Sequence, residues 1–199
     1  MRWCKAASSA SPRKRMYPRN QENTMTTPAE AARNYIGIES EVQVACDPVE
    51  RGAVRRYAQA IMDEDPIFSE PCANNARYGG PVAPPLYPTH LMRRPFGAPD
   101  PIQDNARNAD FDGLSLSSAG GLPEIEPLKG YALLNGGSDI EFFRYALHGE
   151  TVTVKSRYAD ITEKETSKGA MIFVVLESEY RNGAGELLLR ARRTHIRRK

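Results

Sequence analysis

Few side chains of the 199-residue chain can act as acids or bases near neutral pH, and three of them stand out by position. Asp63 and Asp65 lie near the end of a predicted helix, and His90 lies in a second, short predicted helix. A carboxylate and an imidazole held close together can carry out general acid–base catalysis. Structural alternatives exist for both types: the carboxylates close a turn before Pro66, and the lone histidine packs within its helix. The residue pattern alone leaves both interpretations open.

Turn and capping residues define the elements that carry these side chains. The run Asp47-Pro48-Val49-Glu50 predicts a helix start with a capping box, and apolar residues at helical spacing continue the helix to about Met62. The second helix is predicted around Pro88 to Arg94. Alternating apolar residues and hairpin turns predict strands over Ile38–Cys46, Ser138–Tyr145, Thr151–Asp160, Ala170–Tyr180 and Glu186–Ile196. One capped helix followed by an antiparallel run is typical of an α+β fold.

Two turn-rich segments interrupt this pattern. Residues 63–85 include Gly79-Gly80, which predicts a backbone turn, because a glycine pair without the lysine of a phosphate-binding loop is weak evidence for a nucleotide site. Residues 97–130 combine Gly, Pro, Asn and Asp with little periodicity. They predict a long insertion loop, and ordered loops of this length are often lids or substrate walls.

Four stretches carry a resemblance to a known family: Tyr57–Phe68, Ala76–Pro85, Asn135–Arg144 and His148–Val154. Their order and spacing resemble the MaoC-like dehydratases, also called R-specific enoyl-CoA hydratases, and more narrowly the N-terminal-domain branch of that family. The resemblance covers roughly residues 34–198. It implies a hot-dog fold, in which an antiparallel sheet wraps around a helix, here with the long insertion loop added.

The family adds water across the double bond of an enoyl thioester, or removes it, with an Asp and a His as the acid–base pair. A backbone N–H at a helix start polarises the thioester carbonyl. In this alignment Asp63 falls on the family's Asp, whereas Phe68 stands at the position of its His. Pro85 replaces the glycine whose amide donates to the oxyanion, and proline has no N–H. The resemblance therefore implies a chain that has lost the family's histidine and its oxyanion donor.

Family members eroded in this way commonly pair with an intact hot-dog domain, so the resemblance implies a subunit of an enoyl-CoA hydratase or 3-hydroxyacyl-thioester dehydratase. This subunit shapes the substrate tunnel in a heterodimer or heterotetramer. One alternative is a self-sufficient homodimeric hydratase that uses Asp63 with His90 as a non-standard base. Another is a non-enzymatic protein that binds an acyl thioester. The expected substrate-binding residues are Tyr78, Gly79, Gly80, Pro84, Pro85, Gly136, Gly137 and Arg144.

No cofactor or metal is expected beyond coenzyme A or an acyl carrier as part of the substrate. The three cysteines are odd in number and form no Cys-x-x-Cys pair, which favours a reducing compartment and hence the cytoplasm. The longest aliphatic run, Met171–Leu176, is far shorter than the ~20 residues of a membrane span.

Charge is concentrated at the two ends of the chain. Residues 1–24 and 190–199 each hold six Lys or Arg, which leaves 15 basic against 24 acidic residues elsewhere. An acidic body argues against a nucleic-acid interface across the fold. Residues 1–33 are expected to be a disordered or processed extension, with Met25 as a candidate natural start. The domain is expected over 34–199, ending in a solvated basic strand.

Overall fold

A five-stranded antiparallel sheet forms the centre of the computed structural model, which describes residues 26–110, 120–167 and 169–199. Its strands lie in the spatial order β1-β3-β4-β5-β2. Their bounds are β1 Gln43–Val44, β2 Ala132–Phe142, β3 Val152–Thr166, β4 Gly169–Asn182 and β5 Leu187–Arg198. The four strands that the sequence predicts in the second half of the chain are present, each longer than predicted.

Within the described ranges, four short helices accompany the sheet: α1 Pro28–Ala32, α2 Arg51–Ala60, α3 Tyr87–Leu91 and α4 Pro101–Asn105. Helix α2 packs its buried Val54 and Ala58 against one half of a sheet face. That half carries Val154, Tyr180 and Leu189, which lie side by side on β3, β4 and β5. We call the face that carries these residues the inner face.

The other half of the inner face is covered by the end of the predicted insertion. Leu122, Ile125 and Leu128 are buried against the sheet. Helix α1 joins the same cluster through two alanines that are almost fully buried. The predicted insertion loop is thus partly a core element after residue 120, while its residues 111–119 lie outside the described residues.

The N-terminal boundary of the packed region lies earlier than predicted. Helix α1 falls inside the 1–33 segment assigned to an extension, yet Ala32 has no exposed surface. A capping box between Thr27 and Glu30 begins the helix. Residues from Thr27 onward therefore belong to the fold, and residues 1–25 lie outside the described part of the chain.

The start of α2 also differs from the prediction. The helix begins at Arg51 with Glu50 as its N-cap, and no side chain caps it, so the predicted capping box at Asp47 is wrong. Residues before Glu50 are held extended, because the amide of Val49 donates to the Glu150 carbonyl and its carbonyl accepts from the Gly149 amide, both at 2.9 Å. Pairing with a distant turn overrides the local capping signal.

The predicted ends of the sheet need two further corrections. The strand predicted over Ile38–Cys46 is reduced to Gln43–Val44 and one bridge between Glu39 and Arg157. The basic C-terminal segment is an inner strand, β5, between β4 and β2, and not a solvated edge. Among the described helices none is long and apolar enough to cross a membrane.

Candidate functional site

The segment aligned with the family's acid–base motif forms a tight turn after α2. The Asp63 carboxylate accepts a hydrogen bond from the Asp65 amide at 3.2 Å, and the Asp65 carboxylate accepts one from the Ile67 amide at 3.0 Å. Asp65 thereby caps a short 3-10 turn over Pro66–Phe68. Both carboxylates are exposed to solvent. Their catalytic use stays a prediction, and their geometry is that of a capped turn.

Phe68 lies inside the protein and not in a cleft. Its side chain is 5% exposed and packs in the cluster that holds Ile67, Val82 and Ala83. A phenyl ring neither donates nor accepts a proton. The position that carries the base in the resembling family is therefore an apolar core position here.

His90 is exposed on α3 and lies beside Arg93. Its Nδ1 is 2.7 Å from a guanidinium nitrogen of Arg93, and its ring centroid is 5.3 Å from that of Tyr57. Desolvation, and then the charge of Arg93, lower the pKa of His90 below 6.5. Within the described residues no hydrogen bond joins His90 to Asp63. The suggestion that these two act together stays a prediction.

His148 is a histidine whose position the sequence does not reveal. The sequence suggests a solvent-facing turn, but the ring is half-buried near the backbone of Val82 and Phe68, and its Nε2 atom is buried without a partner in the described part of the chain. Burial lowers the pKa of His148 below 6.5, so the imidazole is neutral at pH 7. His148 thus lies close to the backbone of Phe68, the position of the family's lost histidine.

Pro84 and Pro85 lead into α3 at the edge of an open pocket. Pro84 is fully buried, whereas Pro85 lines a pocket of about 440 Å³. We call this the rim pocket; its other lining residues are Tyr78, Phe142, Phe143, Arg144 and Tyr145. Because Pro85 has no N–H, it offers no amide donor to this pocket.

Tyr78 and the glycines after it form one wall of the rim pocket and its supporting turn. The Tyr78 ring packs edge-to-face on Tyr145, with centroids 5.1 Å apart. Gly79 has a φ of +89° and ends the 3-10 turn over Ala76–Tyr78. This conformation suits glycine because it lacks a Cβ. Gly79 and Gly80 thus form the predicted backbone turn.

Arg144 faces acidic side chains within the chain. Its guanidinium forms ion pairs with Glu150, at 3.1 Å, and with Glu186. Because two carboxylates pair with one guanidinium, these three side chains carry no net positive charge. A contact between Arg144 and a phosphate of coenzyme A stays a prediction.

Gly136 and Gly137 form a β-bulge and lie away from the rim pocket. The pairing of β2 with β5 shifts register between Asn135 and Ser138. A Cβ on Gly136 would come within 2.9 Å of the Thr194 carbonyl oxygen, so only glycine fits without movement. The structure therefore separates the predicted substrate residues into a group at the rim pocket and a bulge farther along β2.

A second cavity, of about 510 Å³, lies on the inner face between α3 and the segment that begins at Gly120. We call it the inner-face cavity. Its polar lining includes Ser156, Ser178, Arg193 and His195. His195, which the sequence suggests is solvent-facing, is half-buried here. In the described residues no group of three His, Cys, Asp or Glu side chains could hold a metal ion.

Comparison with known proteins agrees with this architecture. The family model described as "FAS1-like, dehydratase domain region" matches residues 34–191. The chain belongs to this family. The UPF0336 protein of Thermobifida fusca is 28% identical over 155 residues, which are 77% of this chain and 85% of that protein.

Solved structures show the same fold. A chain of the ChsH1-ChsH2 complex from Mycobacterium tuberculosis superposes with a TM-score of 0.63 at 20% identity, over 86% of this FAS1-like chain and 89% of that chain. The R-hydratase PhaJ1 from Pseudomonas aeruginosa gives a TM-score of 0.50 at 12% identity, over 82% of each chain. The FAS1-like chain therefore has the hot-dog fold of MaoC-like dehydratases, as the resemblance implies.

Proposed function

We propose that this chain is the non-catalytic subunit of an enoyl-thioester hydratase or dehydratase, and that a second MaoC-like chain supplies the Asp/His pair. The reaction adds the hydroxyl of water to C3 of the enoyl thioester and a proton to C2, or reverses this step. This chain contributes a wall of the substrate tunnel. The single observation that carries the proposal is the burial of Phe68 at the position of the family's base.

Two losses act together in support of this role. Phe68 cannot take a proton from water, and Pro85 cannot donate a hydrogen bond to the thioester oxygen. Removal of one oxyanion donor alone typically lowers kcat by about 10²–10³-fold. A chain without either group needs a partner that provides both.

The surface around β2 supports a partner at that edge. Strand β2 ends the described sheet, so one side of its backbone has no strand beside it. Phe142 and Phe143 are 51% and 53% exposed at its end, and Leu134 is 46% exposed along it. Unpaired edges with apolar side chains favour pairing with another chain. The ChsH1-ChsH2 structure is itself a complex of two named components.

The substrate assigned by the proposal is an acyl thioester of coenzyme A or an acyl carrier, without a further cofactor. The rim pocket is largely aromatic and opens beside β2, so it suits the acyl chain near the partner's site. The free cysteines Cys46 and Cys72 fit a reducing, cytoplasmic compartment.

Hydration of trans-2-enoyl-CoA thioesters, from crotonyl-CoA to longer chains, tests the proposal. The purified chain alone should give no turnover. The chain co-expressed and co-purified with a MaoC-like protein should give turnover, and Asp→Asn or His→Gln at the partner's pair should abolish it. Asp63→Asn and His90→Gln in this chain should leave the activity of the complex unchanged.

The alternatives predict different results. Turnover by the chain alone that is lost in either Asp63→Asn or His90→Gln would establish the self-sufficient homodimer. A stable complex without turnover, in which the chain still binds enoyl-CoA, would establish a binding protein and overturn the subunit role.

A further inference from the structure

A row of basic side chains lines the inner face of β5. Arg193, His195 and Arg197 are two residues apart, so they point to the same side of the sheet as Leu189 and Ala191. Exposure falls along the row: Arg193 is exposed, His195 is half-buried and Arg197 is 9% exposed. The row therefore runs from solvent into the protein.

The neighbours of this row do not neutralise it. On β4 the residues opposite Arg193, His195 and Arg197 are Leu176, Val174 and Ile172. On β2 they are Ser138, Asn135 and Leu133. Glu124 lines a small cavity together with Arg197. Even so, no carboxylate of the described residues lies within 4.0 Å of any of the three basic groups.

Arg193 and His195 line the inner-face cavity, which is partly apolar and open to solvent on one side. Its apolar lining includes Leu176, Val154 and Met92. At the α3 side Arg93 adds positive charge, whereas Arg94 forms an ion pair with Asp100. Its volume of about 510 Å³ is that of a small-molecule site. The cavity thus offers basic groups and an aliphatic surface side by side.

The wall of the cavity formed by Gly120 and Gly121 lies close to side chains of the sheet. Gly120 and Gly121 have φ angles of +60° and +77°. A Cβ on Gly120 would lie 2.4 Å from the Ser156 hydroxyl oxygen, and one on Gly121 would lie 2.4 Å from the Gln43 side chain. Because glycine has no side chain, Gly120 and Gly121 form a wall of the cavity without occupying its volume.

We propose that the inner-face cavity binds an aliphatic carboxylate, with the carboxylate at Arg193 and His195 and the carbon chain against Leu176 and Val154. A guanidinium can hold a carboxylate through two parallel hydrogen bonds. Contact with these side chains removes the apolar surface of the carbon chain itself from water. The ligand is a free fatty carboxylate or the far end of an ω-carboxyacyl thioester; only the thioester form rests on the proposed function.

Calorimetric titration of the full chain with octanoate and octan-1-ol tests the charge requirement. Octanoate should bind at least about tenfold more tightly, because hydrogen bonds to a charged group are stronger than those to a neutral hydroxyl. Arg193→Gln should remove this preference and Arg193→Lys should retain most of it. The matched control is Arg192→Gln, on the other face of the same strand, which should leave the preference unchanged.

Titration with suberoyl-CoA and octanoyl-CoA distinguishes the two sources. Preference for suberoyl-CoA that Arg193→Gln removes assigns the ω-carboxyacyl thioester. Preference for octanoate over octan-1-ol, without any binding of suberoyl-CoA, assigns the free carboxylate. The hydration assay then tests the subunit role independently of this result. Equal binding of octanoate and octan-1-ol, no binding of any probe, or an equal effect of Arg192→Gln and Arg193→Gln overturns the proposal.

Discussion

The two faces of strand β5 carry the same residue types in opposite settings. On the outer face Arg190 bonds to Glu179 and Glu141, and Arg192 bonds to Glu177. On the inner face Arg193 and Arg197 lie beside Leu176 and Ile172 on β4. The adjacent residues Arg192 and Arg193 thus differ: Arg192 is ion-paired, and among the described residues no carboxylate lies within 4.0 Å of Arg193.

The outer-face arginines of β5 stabilise the fold through ion pairs, whereas our proposal gives Arg193 on the inner face a role in binding. Burial alone would raise the pKa of Glu177, but hydrogen bonds from Arg192 and Arg157 outweigh it and hold that pKa below 4.5. Hydrogen bonds from Arg181 and Arg190 lower the pKa of Glu179 likewise. The outer arginines are thus occupied within the fold, whereas the inner ones have charge to offer a ligand.

Removal of the central carboxylate of the outer face should have the largest effect on stability. Glu177 is 4% exposed and lies between Arg157 and Arg192. Glu177→Gln leaves two guanidinium groups facing each other, and we expect a loss of about 2 kcal/mol in the free energy of unfolding, since the arginines are half-exposed. Urea unfolding measures it.

The matched control for this variant is Glu141→Gln. Glu141 pairs with Arg190 on the same face but is itself 52% exposed. An exposed pair typically contributes under about 1 kcal/mol. Losses of equal size in the two variants would contradict the special position of Glu177.

Removal of an inner-face arginine should have the opposite sign. Arg197 is buried, and desolvation lowers its pKa. Arg197→Met keeps the length of the side chain and removes an unpaired buried charge, so we expect a gain of about 1 kcal/mol in the absence of ligand. Thermal unfolding of the two proteins measures the change. A clear loss of stability would mean that Arg197 supports the fold as the outer arginines do.

The smallest expected effect is a difference in pH dependence. Burial first, then the charges of Arg197 and Arg193, lower the pKa of His195 below 6.5. The unfolded chain therefore binds a proton that the folded chain does not, and stability falls as the pH drops below 6.5. His195→Gln should weaken this fall without abolishing it, because His90 and His148 shift in the same direction.

Unfolding midpoints measured in steps between about pH 5 and 8 test this expectation. The outer carboxylates act in another range, since Glu177 and Glu179 have pKa values below 4.5 and lose their stabilising effect only as the pH falls through the acid range. A slope unchanged in His195→Gln would show that this imidazole is not desolvated.

The sequence predicts the parts of the fold that depend on local pattern. Alternation of apolar residues predicts the strands, and burial of Phe68 agrees with its alignment at the family's histidine position, whereas the loss of catalytic function there stays a prediction. The start of α2 is missed because Val49 pairs with Gly149 and Glu150, which are about a hundred residues away. No local signal contains that pairing.

Burial of histidines and pairing of arginines depend on register, which the sequence leaves open. Arg192 and Arg193 are adjacent in the chain, and only the pairing of β5 with β4 places Glu177 beside the first and Leu176 beside the second. His148 and His195 similarly become buried only when loops and strands pack. Among the described residues, the inner-face cavity is likewise lined by seven stretches that are separate in sequence.

The bulge at Gly136 and Gly137 has a consequence for aggregation. An incoming strand needs a continuous row of backbone donors and acceptors, and the bulge interrupts that row in the middle of β2. At the opposite edge β1 offers only two residues. Both features work against the repeated edge-to-edge addition of further copies, so the β2 edge favours a single partner over an open-ended fibre.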